Sequence, residues 1–128
     1  MSGAFWVTQT LNDFGRSLGF EELAFDERGM LHLGFEDLGT LGMERQDKQV
    51  LVYLMRYLSH AEPATLLKSL QICHHREHDL GWCQAALLKD HHLSVATRIP
   101  NQEFQLSRLE RVIDELGAMQ DEIASVSL

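Results

Sequence analysis

Residues 49–58 read Gln-Val-Leu-Val-Tyr-Leu-Met-Arg-Tyr-Leu, and they constrain the fold more than any other stretch of the chain. The β-branched and aromatic content suits a strand. Side chains alternate between the two faces of a strand. Val50, Val52, Leu54 and Leu58 then share one face, and Leu51, Tyr53, Met55 and Tyr57 share the other. Apolar residues on both faces imply a strand inside a sheet and covered from both sides. A chain of 128 residues builds one domain around one core. Its own helices supply one cover, and a partner is expected to supply the second.

The rest of the chain gives the elements that frame this strand. Val7, Leu11, Phe14 and Leu18 recur at helical spacing across residues 5–18, and Gly19 follows where a left-handed cap is expected. The period then falls to two. Leu23 and Phe25 alternate, Asp26 to Gly29 make a turn, and Leu31, Leu33 and Phe35 alternate next. A second turn at Asp37 to Gly39 leads to Leu41 and Met43, and the polar run from Glu44 to Lys48 closes a hairpin. Pro63 opens a short helix with Leu66, Leu67 and Leu70, ending near Cys73. Residues 74–79 are polar and read as a loop. Strands are expected over residues 80–89 and again through Leu93, Val95, Thr97 and Ile99. Pro100 and Asn101 end the sheet, with Asn101 the expected N-cap of the last helix. That helix carries Leu106, Leu109, Ile113, Leu116, Gln120 and Ile123 on one stripe.

The order is a helix, three or four strands, a short helix, two strands and a long helix. Short turns between consecutive strands make them antiparallel. The expected fold is therefore α+β: a sandwich of helices against a twisted antiparallel sheet, in a single domain over residues 1–128.

Charge narrows the partners. Lys and Arg number 11 against 19 Asp and Glu, a net charge of −8. Such a surface repels phosphate backbones and anionic lipid, so neither nucleic acid nor membrane is an expected partner. No basic leader and no apolar run of about 20 residues is present, which makes a cytoplasmic site the expectation. Cys73 and Cys83 form no Cys-x-x-Cys pair and read as two thiols in a reducing compartment.

Chemistry finds little support. No Gly-x-Ser-x-Gly elbow and no phosphate-binding glycine pattern occurs, and Cys73 beside His74 is adjacency in sequence only. Cys73, His74, His75 and His78 crowd together, which leaves one alternative: a small metal- or ligand-responsive regulator built on this histidine loop. No second ligand pair of standard spacing supports a metal site, and neither cofactor nor enzymatic activity is expected. The aromatic residues say more. Trp6, Phe20, Tyr53, Tyr57, Trp82 and Phe104 are too many for one small core, and those left outside it would mark contact surfaces.

Three features together resemble the class I type III secretion chaperones, the CesT/Tir chaperone family. They are the helix end Leu11-Asn-Asp-Phe-Gly-Arg-Ser-Leu-Gly19, the turn and strand Phe25-Asp-Glu-Arg-Gly-Met-Leu-His-Leu33, and the element order. The tracts Gly39-Thr-Leu-Gly-Met-Glu44 and Val50-Leu-Val-Tyr-Leu-Met-Arg56 are most similar to the SycN-like branch. The resemblance implies a bacterial cytosolic protein that wraps an extended segment near the N-terminus of a secreted effector or gatekeeper. The client would be kept non-globular and export-competent, without ATP. It implies a homodimer, or a heterodimer with a second small chaperone, joined through Leu66, Leu67 and Leu70 with Trp82 nearby. It places client contacts at Leu11, Phe14, Leu31, Leu33, Leu41 and Val52.

Overall fold

A computed structural model describes residues 2–58, 63–74, 80–88 and 91–125, with side chains from residue 5 onward. Helix α1 is Ser2–Ser17, strands β1 to β3 are Met30–Phe35, Gly39–Arg45 and Gln49–Tyr57, and helix α2 is Pro63–His74. Strands β4 and β5 are Cys83–Leu88 and His92–Pro100, and helix α3 is Leu106–Ser125. All pairs are antiparallel, in the order β1-β2-β3-β5-β4. The fold is the expected α+β sandwich, with three strands before the middle helix.

The tight turns follow from their residues. Helix α1 ends in a Schellman arrangement: the amides of Gly19 and Phe20 reach back to the carbonyls of Arg16 and Gly15. Gly19 has φ +92°, a conformation that costs glycine nothing and a larger residue a steric clash. At the next turn the Asp26 carboxylate accepts the amides of Arg28 and Met30. These bonds, that from Met30 foremost, hold the Asp26 carboxyl below its usual pKa.

The core lies between the sheet and the helices. Val50, Val52 and Leu54 of β3 are buried with Val95 and Ile99 of β5 and with Leu109, Leu116 and Ile123 of α3. Each such side chain contributes about 1.5–3 kcal/mol of burial. Helix α3 packs on β3 and β5, α1 lies beside α3, and α2 packs on β4 and α3. Polar residues are sealed there too, among them Thr97 and Gln120. Gln120, fully buried, donates its amide hydrogens to the carbonyls of Leu54 and Leu93.

Three boundaries differ from expectation. Leu23 and Phe25 pair with no strand; they anchor an extended connector, with Leu23 buried against Gly15. Asn101 does not cap α3. Its side chain and its amide bond the carbonyls of Asp47 and Lys48, so it ties the end of β5 to the β2–β3 turn. A one-turn 3-10 helix, Asn101–Glu103, follows, then the buried Phe104, whose carbonyl accepts the Thr10 hydroxyl. Helix α3 can begin only after that anchor. The middle helix runs through His74, which was expected in the loop; His75 and His78 lie outside the described residues.

Candidate functional site

Two sheet edges and one sheet face are left for other molecules. Strand β1 is one edge, and among the described residues nothing pairs with its outer side. An unpaired edge presents a row of backbone donors and acceptors that templates a further strand. Along β1, Leu31, Leu33 and Phe35 lean half-buried toward the core, while His32 and Gly34 are exposed on the opposite face. Beside this edge a cleft of about 330 Å³ opens between α1 and the Asp26 turn, lined by Thr8, Leu11, Phe25, Asp26 and Arg45.

The second edge is β4, flanked by α2. Leu66, Ser69 and Leu70 of α2 meet Ala85, Leu87 and Leu93 across an apolar groove of about 210 Å³. Leu67 and Leu70 are 56% and 59% exposed, and Leu87 and Leu88 are 45% and 42% exposed. Leu67, Leu70 and Leu87 expose apolar area along α2 and the neighbouring face of β4, of the kind that marks a protein interface, and Leu88 is exposed on the other face of the strand. Trp82 lies elsewhere. Its ring sits under the Arg98 guanidinium, 4.6 Å from the ring centroid, on the face of the sheet turned away from α3.

That open face carries Leu51, Tyr53 and Met55, all half-buried, and Tyr57, which is exposed. The Tyr53 ring lies over Gly42, where any Cβ would collide with it. Its hydroxyl meets His32 Nε2 at 2.8 Å. Burial, with the Glu44 carboxylate adding, pushes the Tyr53 hydroxyl above its usual pKa.

The residues singled out from sequence separate by depth. Leu11, Phe14, Leu41 and Val52 are closed inside the core of the isolated chain, whereas Leu31 and Leu33 reach the β1 edge. Leu66 and Leu70 line the α2 groove and Leu67 stands exposed on the same helix, while Trp82 is on the other side of the sheet. Leu87 and Leu88 were not anticipated. The run Ala85-Ala86-Leu87-Leu88, apolar at consecutive strand positions, carries the same two-faced signal as residues 49–58.

Among the described residues no three His, Cys, Asp or Glu side chains converge on a point that could hold a metal ion. Among them, too, no helix is long and apolar enough to cross a membrane.

Comparison with known proteins bears on this arrangement. The family model described as "Type III secretory system chaperone SycN" matches residues 6–124. Among curated protein sequences none matches significantly. Solved structures do. The fold is similar to a chain of the HopA1–SchA chaperone–effector complex, with TM-score 0.75 and 18% identity, covering 98% of this chain and 97% of that one. It is similar to a chain in the structure of the Yersinia pestis type III secretion chaperone SycH with a fragment of YscM2: TM-score 0.69, 16% identity, 94% and 98% covered. A chain of the heterodimeric ExoU–SpcU complex from the type III secretion system of Pseudomonas aeruginosa matches at TM-score 0.67 and 17% identity, with 91% and 96% covered. At these identities the likeness is one of fold.

Proposed function

The chain belongs to the SycN family of type III secretory system chaperones, and from that premise we propose that it escorts a secreted effector or gatekeeper by binding an extended segment near the client's N-terminus. The unpaired edge of β1 carries this reading. An incoming strand would satisfy the open backbone groups of Met30–Phe35 and set alternate apolar side chains against Leu31 and Leu33. The adjoining cleft would take one further anchor at the Phe25 side. Leu11, Phe14, Leu41 and Val52 form the floor behind these contacts and would act by holding α1 and the sheet in place.

The other edge serves assembly. The exposed Leu67, Leu70 and Leu87, with Leu66 in the groove, offer apolar area suited to a second chaperone subunit. The subunit is a second copy of this chain or a different small chaperone, and Trp82 would border the joint from the open face. No bond of the client is made or broken, no nucleotide is used, and the site of action is the bacterial cytoplasm.

Two measurements test this. Light scattering of the purified protein should give twice the chain mass, or the mass of a one-to-one complex with a partner chaperone. Leu70→Asp should return it to the chain mass; an unchanged complex would exclude the α2 patch as the joint. Hydrogen exchange should slow across Met30–Phe35 when a client segment binds. Exchange there that is indifferent to client would refute strand addition at β1.

A further inference from the structure

Cys73 ends the buried side of α2, and Cys83 begins β4 directly beneath it. They lie ten residues apart in sequence, and their sulfurs approach to 2.7 Å. That is inside van der Waals contact for two sulfur atoms, so the side chains are aimed at each other. No disulfide joins them in this structure. Both are half-buried.

We propose that Cys73 and Cys83 are a reversible dithiol–disulfide site, oxidised by exchange with a low-molecular-weight disulfide of the glutathione class and clamping α2 to β4. The Cys73 thiolate attacks one sulfur of the small disulfide, whose S–S bond breaks and releases one thiol that takes up a proton. The Cys83 thiolate then attacks the Cys73 sulfur of the mixed disulfide and releases the second small thiol. Two protons leave the cysteines, two arrive on the released thiols, and the protein loses two electrons to the reagent. The order follows from the contact. The sulfur contact with Cys83 holds the Cys73 thiol below its usual pKa, and the same contact pushes Cys83 up. The thiolate is the attacking form, so Cys73 enters first. This chemistry is independent of what the chain binds, but it acts on the two elements that carry Leu70 and Leu87.

The test uses the purified full chain, with any partner subunit that is isolated with it. The protein is equilibrated with excess oxidised glutathione, alkylated with iodoacetamide, and read by intact mass and peptide mapping. The expected result is loss of the mass of two hydrogens, loss of alkylation at both Cys73 and Cys83, and recovery of both thiols with dithiothreitol. Cys83→Ser should instead trap glutathione on Cys73. Two alkylated thiols, a wild-type chain that retains glutathione, or a disulfide between chains would each overturn the site. A Cys83→Ser protein that takes up no glutathione would overturn Cys73 as the entering thiol. Should that variant fail to fold, the wild-type measurement decides the site alone.

Discussion

Val52 and Tyr53 are neighbours on β3 and share its ladders, yet they occupy different media. The Val52 face is sealed: Val50, Val52 and Leu54 have no exposed surface, opposed by Val95 and Ile99 and roofed by α3. The Tyr53 face is half-open, with Leu51, Tyr53 and Met55 half-buried and Tyr57 61% exposed. Its neighbours are small. Ala96 lies opposite Tyr53, Ser94 opposite Met55, and Gly42 on the other side. Large rings therefore lie down over small residues, and the chain partly covers its own second face. The sealed face supplies stability. The open face and the leucines at the β4 edge hold apolar area that only another molecule can bury.

Substitutions should separate these two regions. The largest contrast is Val52→Asp against Met55→Asp. A carboxylate on the sealed face has no partner and should cost about 4 kcal/mol or more, while the same change on the open face should cost under about 1 kcal/mol, both read by urea unfolding. Equal losses would mean that the open face is as closed as the sealed one. Next is Gln120→Ala, which removes two buried hydrogen bonds to the carbonyls of Leu54 and Leu93 and leaves a cavity beneath α3. A loss of about 2–3 kcal/mol is expected in the same assay. A neutral outcome would show that water reaches the sealed layer.

Gly42→Ala sharpens the open side. The new methyl group must displace the Tyr53 ring, at about 1 kcal/mol, and in a Tyr53→Ala background the cost should nearly vanish. A cost that persists without the ring would place its cause in the backbone. The smallest effect belongs to neither face. Asp26, fully exposed in its turn, has a folded pKa below its unfolded value. Its contribution is present above the unfolded pKa and is lost as pH falls through the folded one. The unfolding free energy, measured on either side of the ordinary value of 3.8, should therefore fall more steeply with acid in the wild type than in Asp26→Asn. Parallel curves would deny the carboxylate any part in holding the turn.

Much of the fold is legible in the sequence. The spacing of Val7, Leu11 and Phe14, the turn at Asp26 and the stripe from Leu109 to Ile123 are local signals, because a helix or turn answers to residues three or four positions away. The two-faced pattern of β3 was local as well. Less could be read where distant contacts decide. Asn101 carries every mark of an N-cap, but the carbonyls of Asp47 and Lys48 claim it first. Among the aromatic residues, Phe104 went to the core and Tyr57 to the surface, which composition alone could not sort.

Periodicity by itself determined the element order and the α+β class, since these depend on which residues alternate with which. Only the tertiary structure decided which apolar residues are floor and which are edge. Leu11 and Leu31 are both leucines on apolar stripes, yet one is sealed on the inner side of α1 and the other lies half-buried on the edge strand β1. The same holds for Cys73 and Cys83, ten residues apart in sequence, which meet because α2 packs on β4. Burial and proximity are set by how layers stack, and that stacking depends on the whole chain at once.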